Sequence, residues 1–382
     1  MVQAVDMNIQ VVDLYNQYLK IKPEVDERFQ QIFQSSTYIN GPFVKQFCSN
    51  LANYLKVKHV LPCANGTDAL TAALMALDMR PGDEVITVPF TFVATAEAIS
   101  LLGLKPVFVD VDPDTFNIDA NKIEAAITSK TKCILPVHLY GQAADMHQIM
   151  QIAEAYDLYV IEDNAQAIGA QYCSNGTKGS VGTLGHIGCT SFYPSKNLGA
   201  YGDAGAMFTN DDELAERLTA ILNHGQAKKK YYSEFIGLNS RLDSFQAAIL
   251  GIKLQYLDDY IAARRHAADF YDVALATNGF SQIPVRSPQS SHVFHQYTIK
   301  VQGNRDELRN QLSKNGVPSM VYYPQPLHMH IAYRYLGYKQ GDFPVTEYLA
   351  KQVISLPMHT ELTTEQLTYI CERYLHAVKK VQ

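Results

Sequence analysis

The sequence has no apolar run of membrane-spanning length, and its first residues, with Asp6 among polar neighbours, lack the continuous apolar stretch of a signal peptide. The reading is a soluble, cytoplasmic chain with no membrane partner. The cysteines, at positions 48, 63, 133, 173, 189 and 371, show no Cys-x-x-Cys spacing and lie mostly in apolar runs, as reduced structural thiols do. That places the protein in a reducing compartment. Positive charge is also scarce: 32 Lys and Arg stand against 38 Asp and Glu, for a net charge of −6. No basic field is available for nucleic acid, and the run Lys228-Lys229-Lys230 is too short to make one; it reads as a solvated loop. No Gly-x-Gly-x-x-Gly follows the first strand and no Walker loop occurs, which argues against a nicotinamide dehydrogenase. His292, His295, His328 and His330 have no carboxylate or cysteine at ligand spacing, so no metal is expected and they read as surface or hydrogen-bonding histidines. Internal repeats and low-complexity segments are absent too.

What is present describes a globular protein. The 382 residues, 47% hydrophobic and 18% charged, can bury a large core and divide into two domains, read as 1–255 and 256–382. Val25, Phe29, Ile32 and Phe33 share one side of a helix over 23–34, and Val44, Phe47, Leu51 and Tyr54 repeat the spacing after a turn at 38–42. Residues 59–63 form a short strand running into Ala64-Asn65-Gly66-Thr67-Asp68, where a helix begins. Backbone N–H groups and the positive end of a helix dipole meet there, which suits a phosphate, although Asn, Thr and Asp are also ordinary helix caps. Strands at 84–88, 106–110, 132–137 and 158–162 then alternate with helices at 94–102 and 146–156. The pattern implies an α/β fold with a mostly parallel sheet, whose ligands bind beyond the carboxyl ends of the strands. A long helical stretch over 258–276 leads into a smaller α+β domain with strands at 296–301 and 319–323.

Phe92, Asp163 and Lys196 all fall at strand ends. Lys196 follows a short strand, read as 191–193, and precedes a glycine-rich return, Leu198-Gly199-Ala200-Tyr201-Gly202-Asp203-Ala204-Gly205. An amine held among close-packed backbone loses solvation, so its pKa falls and it can attack a carbonyl. Pyridoxal phosphate chemistry needs such an amine. A carboxylate such as Asp163 would keep the pyridine nitrogen protonated, and a ring such as Phe92 would stack on the cofactor. Taken singly, each has a plainer reading: a snorkelling lysine, a helix cap and a core aromatic. Three together beside a phosphate-type turn favour the cofactor.

The stretches 64–70 (ANGTDAL), 89–96 (PFTFVATA), 136–145 (PVHLYGQAAD), 161–167 (IEDNAQA), 190–205 (TSFYPSKNLGAYGDAG) and 237–248 (GLNSRLDSFQAA) together resemble the DegT-type family of sugar-nucleotide aminotransferases. That resemblance implies a fold-type I pyridoxal 5'-phosphate enzyme with Lys196 as the covalent anchor and proton shuttle and Asp163 on the pyridine nitrogen. It further implies that Gly66, Thr67 and Ser191 contact the phosphate, that Phe92 stacks on the ring, and that Gln166 lies near its phenolic oxygen. Asn239 would reach the phosphate of a neighbouring subunit in a homodimer with shared sites, and Arg241 would point into the substrate space. Tyr322-Tyr323-Pro324 stands where many relatives have His-Tyr-Pro, so Tyr322 and Tyr323 are substrate-side candidates. The implied reaction moves an amino group from an amino acid, glutamate in the leading reading, to a nucleotide-linked keto-sugar used in surface-polysaccharide biosynthesis. The match is closest to enzymes acting on UDP-2-acetamido-3-keto-glucuronic acid. Alternatives are a dTDP-linked 3-keto-6-deoxysugar, a related dehydratase, disfavoured because its branch replaces the lysine with histidine, and a regulatory protein that has kept the fold.

Overall fold

Asp13 accepts the Asn16 backbone N–H at 3.0 Å and so opens helix α1 (Leu14–Ser35) in the structure, a computed structural model that describes residues 7–227, 229, 231–279 and 282–381. Asp6, Lys228 and Lys230, on which two of the expectations above rest, lie outside the described residues. The helix expected over 23–34 thus starts earlier and carries Pro23 in its interior. Pro23 removes one backbone hydrogen bond but sits on the exposed side, where water can solvate the freed carbonyl. Val25 and Ile32 are buried as expected, whereas Phe33 is 53% exposed. After the expected turn, α2 (Pro42–Leu55) begins with proline in its first turn.

Alternation follows: β1 (His59–Cys63), α3 (Gly66–Ala76), β2 (Glu84–Thr87), α4 (Ala94–Leu101), β3 (Lys105–Phe108), α5 (Ile123–Ala126), β4 (Thr131–Ile134), α6 (Met146–Ala155) and β5 (Tyr159–Asp163). Every strand and helix expected in this region is present, with ends shifted by a few residues. A hairpin, β6 (Gln171–Ser174) and β7 (Thr177–Ser180), precedes β8 (Ile187–Ser191) and β9 (Gly205–Thr209). The strand before Lys196 therefore ends at Ser191 and not at Tyr193. Beyond Ser191 the chain folds back on itself, with the Ala200 N–H donating to the Phe192 carbonyl at 2.7 Å.

The seven-stranded sheet has the order β1-β9-β8-β5-β4-β2-β3. Strands β3, β2, β4, β5 and β8 pair in parallel, and β9 runs antiparallel to both β8 and β1. Successive strand residues go to opposite faces. Val85, Cys133, Ile161 and Met207 join one buried cluster with α3, α4 and α7 (Asp212–Leu222), while Ile86, Ile134, Val160 and Phe208 join another with α2, α6 and α8 (Ser244–Lys253). Both faces are covered, which is why these strands read as continuous apolar runs.

Helix α9 (Leu257–Thr277) carries the chain to a small antiparallel pair, β10 (Tyr297–Lys300) and β11 (Val353–Leu356), with α10 (Arg305–Lys314), α11 (Pro344–Gln352) and α12 (Thr364–Val381). Tyr271, Tyr297, Leu308, Ile354 and Tyr374 gather in a separate core there, joined by Ile9 from the chain start. Residues 319–323 are not a strand: Met320 alone bridges to Ser355. The partner of β10 is instead β11, which the sequence reading did not assign.

Phe47 links this packing to the lysine loop. It is 1% exposed, and its ring meets Phe192 edge-on at 5.5 Å. Phe47→Ala is expected to lower the unfolding free energy by about 3–5 kcal/mol in urea denaturation, against less than about 0.5 kcal/mol for Val273→Ala at a surface position. A loss for Phe47→Ala no larger than that of the surface control would contradict this packing.

Candidate active site

Helix α3 begins hard against β8 and β9. Asn65 caps it, accepting the Asp68 N–H at 2.8 Å, and so turns the first N–H groups of the helix toward the carboxyl edge of the sheet. Gly66 is required by proximity: a Cβ there would lie 2.7 Å from the Ser191 Cβ. Gly205 is pressed in the same way, since its Cβ would come 2.5 Å from the Asn65 carbonyl. These contacts leave a helix start with open backbone donors and with the Thr67 and Ser191 hydroxyls beside it, a cradle suited to a phosphate.

Gly66, Thr67, Phe92, Asp163, Gln166, Ser191, Lys196, Tyr322 and Tyr323 all line one cavity of about 710 Å³. Lys196 enters it from the turn after β8. Burial pushes its amine down from 10.5 to about 8, with the nearby Asp163 charge opposing part of the fall. Asp163 ends β5 and is 6% exposed. Its Oδ2 accepts the Thr95 hydroxyl at 2.8 Å and its Oδ1 the Ala165 N–H at 3.1 Å. Thr91 continues this chain, 3.2 Å from the Thr95 hydroxyl. Both threonines were read only within the stretch 89–96, and Thr95 also within a helix; their role is visible once α4 is laid beside β5.

Directly behind Asp163, Glu162 is fully buried and accepts N–H groups from Gly182, Leu184 and Gly185 at 2.8, 2.6 and 2.6 Å. His138 pairs with the same carboxylate at 2.8 Å. Because His138 Nδ1 accepts the Ala144 N–H at 3.1 Å, the ring hydrogen is on Nε2 and donates to Glu162. The His138 N–H in turn donates to the Asp163 carbonyl at 3.0 Å, so this pair braces the backbone that presents Asp163.

Tyr140 takes a left-handed conformation, φ 57°, which aims its N–H at Gln166 Oε1, 2.8 Å away. The Gln166 amide is thereby oriented, and its Nε2 donates to the Tyr323 hydroxyl at 3.1 Å. Tyr140 also donates its hydroxyl to the Tyr322 carbonyl. Tyr323 packs near Phe92, whose ring is 56% exposed and open on its cavity side.

Asn239 and Arg241 are the exceptions among the expected site residues. Side chains alternate along this extended segment: Ser240 and Leu242 are each 1% exposed, and Ser240 Oγ accepts the Ala64 N–H at 2.9 Å. Asn239 and Arg241 therefore point outward, exposed, and do not line the cavity of their own chain. Of the four histidines named above, His295 does line it, and His328 is buried and within 3.2 Å of Glu347. His295 is thus not a surface histidine, and its ring Nδ1 is buried without a hydrogen-bond partner.

The arrangement fits pyridoxal phosphate on the structure's own terms: a depressed lysine amine, a carboxylate held by a hydroxyl donor, and a glycine-lined helix start share one cavity. The profile of the DegT/DnrJ/EryC1/StrS aminotransferase family matches residues 19–374. A pleiotropic regulatory protein of Geobacillus stearothermophilus is 50% identical over 96% of this chain and 98% of its own length. The UDP-2-acetamido-2-deoxy-3-oxo-D-glucuronate aminotransferase of Pseudomonas aeruginosa is 46% identical over 95% of this chain and 98% of its own. Among solved structures, NtdA of Bacillus subtilis with bound cofactor PMP is 36% identical, with a TM-score of 0.86 over 94% of this chain and 82% of that one.

In cofactor-free protein, the rate at which trinitrobenzenesulfonate labels Lys196, followed by peptide mass spectrometry across pH, is expected to reach half its plateau near pH 8. The sign follows from burial, which favours the neutral amine and so exposes a nucleophile at lower pH than an ordinary lysine does. A midpoint at the ordinary 10.5 would refute the depressed amine.

Proposed function

The chain belongs to the DegT/DnrJ/EryC1/StrS aminotransferase family and is a pyridoxal-phosphate-dependent aminotransferase, and we propose that it moves an amino group from glutamate to UDP-2-acetamido-2-deoxy-3-keto-glucuronic acid. The observation that carries the catalytic reading is the meeting of Lys196 and Asp163 in one cavity with the start of α3. The cofactor supplies an electron sink when bound. Asp163 would hold the proton on its ring nitrogen, Gly66, Thr67 and Ser191 would hold its phosphate, and Phe92 and Gln166 would flank its ring. Lys196 would anchor it and carry a proton at Nζ, a role suited to an amine that titrates near physiological pH. Tyr322 and Tyr323 would face the substrate.

The regulatory name of the Geobacillus relative keeps a second reading in view, in which the fold serves only for binding. The depressed Lys196 amine and the oriented Asp163 favour catalysis, since binding alone asks for neither. For the acceptor, the support is the Pseudomonas relative together with Arg241, whose guanidinium can take a sugar carboxylate through two parallel charge-assisted hydrogen bonds. The competing acceptor is a dTDP-linked 3-keto-6-deoxysugar, which has no such carboxylate.

Because Asn239 and Arg241 face away from their own cavity, we further propose a homodimer in which each copy lends both residues to the other's site. Two tests follow. Mixing inactive Lys196→Ala subunits with inactive Asn239→Ala subunits is expected to restore part of the activity, because one site of each heterodimer is whole; no recovery despite proven subunit exchange would reject sharing. In an amination assay with glutamate against UDP-, dTDP- and GDP-linked 3-keto and 4-keto sugars, the UDP-uronate is expected to be preferred. Arg241→Ala is then expected to lose about 2–5 kcal/mol of transition-state stabilisation on it. Preference for a neutral 6-deoxysugar would replace the acceptor and leave the aminotransferase in place.

A further inference from the structure

Two buried histidines lie close together between α9 and β10, and only one of them is satisfied. His292 accepts the Phe294 N–H on Nδ1 at 3.0 Å, and its ring stacks on Phe294 with centroids 3.9 Å apart. It behaves as a core histidine. His295, 6% exposed, spends its backbone fully: the N–H donates to the Tyr140 carbonyl at 2.8 Å, and the carbonyl accepts Arg264 Nη1 at 3.3 Å. Its ring is left over. Nδ1 is sealed with no partner, whereas Nε2 is not sealed, and the space the residue borders is the cavity that holds Lys196 and Gln296. A sealed, unpaired nitrogen costs stability and calls for a reason.

The state of the ring can be worked out from its surroundings. Burial, with the Lys196 and Arg264 charges adding to it, holds the imidazole well below its usual pKa of 6.5, so it is neutral and carries one N–H. An orphaned N–H is the rarer and costlier orphan. The hydrogen is therefore assigned to Nε2, on the cavity side.

We propose that His295 is a substrate-binding residue whose Nε2–H donates a hydrogen bond to an uncharged oxygen of the keto-sugar, a hydroxyl or the carbonyl itself, beside the Lys196 amine. The choice of ligand follows from charge. A neutral donor is sufficient for a hydroxyl or carbonyl oxygen, whereas the carboxylates of an amino-acid donor are held more strongly by a cation. The residue thus distinguishes the two halves of the reaction. This proposal rests on the aminotransferase reading above.

The test compares His295→Leu and His295→Gln holoenzymes in single turnovers that separate the glutamate half-reaction from the keto-sugar half-reaction. His295→Leu is expected to lower kcat/KM of the sugar half about 10- to 100-fold, the scale of one lost buried hydrogen bond. The glutamate half should stay within about twofold, and His295→Gln, which keeps an N–H, should recover part of the loss. Calorimetry on cofactor-free protein should show weaker binding of the nucleotide sugar to His295→Leu than to wild type. Should His295→Leu not fold, His295→Met, which likewise has no N–H, is read in the same way. Equal losses in both half-reactions, no loss in either, or no recovery with Gln would each overturn the assignment. A wild-type enzyme that aminates no nucleotide-linked sugar would instead overturn the function itself.

Discussion

One electrostatic constraint organises the carboxyl edge of this sheet: the Lys196 amine must be buried enough to shed its proton near neutral pH and still open onto a cavity. Burying an amine is unfavourable, so the loop that carries it has to be held by its surroundings. The holding is visible on each side. Phe192 is packed by Phe47 of α2, Tyr201 has its N–H taken by Gln246 at 2.9 Å from α8, and the Gly205 strand is pressed against the cap of α3. The same packing brings the phosphate-type helix start next to the lysine. Cofactor cradle and reactive amine are therefore two results of one close approach between α3, β8 and β9.

Two other buried basic side chains serve this arrangement with no counter-ion among the described residues. Lys253 of α8 is 1% exposed, its amine has no hydrogen-bond partner and lies 4.2 Å from the Tyr201 ring, and burial brings its pKa down to about 7. It props the return from Lys196 by an amine–ring contact that a neutral or charged head can make. Arg264 takes a different course, spreading one nitrogen over the carbonyls of Phe294, His295 and Met358 at 3.1–3.3 Å. That ties α9 to the segment carrying His295 and to the end of β11. Both are costly devices, and the second ends at the cavity wall, on the His295 carbonyl.

The central sheet was legible because its strands are buried on both faces and so read as short apolar runs between helical periods. Lys196, Asp163 and the Gly66 turn were legible because strand ends and helix starts have residue signatures. Boundaries were not: the strand before Lys196 ends at Ser191 because the Phe192 carbonyl leaves the ladder with β9 and accepts the Ala200 N–H at 2.7 Å, a fold-back that composition does not announce. Residues 319–323 have a β-forming composition but meet only one strand partner, and β11 was missed because its apolar residues follow a helix without a break. No local signal marks the roles of Thr95, read only within the stretch 89–96 and a helix, and of His295, read only as one of four histidines. Thr95 matters through Asp163, 68 positions away, and His295 through a cavity built from distant segments.

The contrast between Asp163 and Lys196 bears on whether the fold is kept for catalysis. Asp163 is stabilised where it stands, by the Thr95 hydroxyl and by the backbone that Glu162 and His138 brace. Lys196 is not: among the hydrogen bonds of the described residues its amine makes none, and its burial works against the charged form it would hold in an unfolded chain. Below about pH 8 the folded state must protonate a buried amine or do without the proton, so stability contributed by this site rises as pH climbs from there toward 10.5. A binding protein would gain by having an apolar side chain of the same length. A buried amine without a hydrogen bond next to a hydrogen-bonded carboxylate is the pattern expected where the amine has chemistry to perform and the carboxylate only has to stay in place.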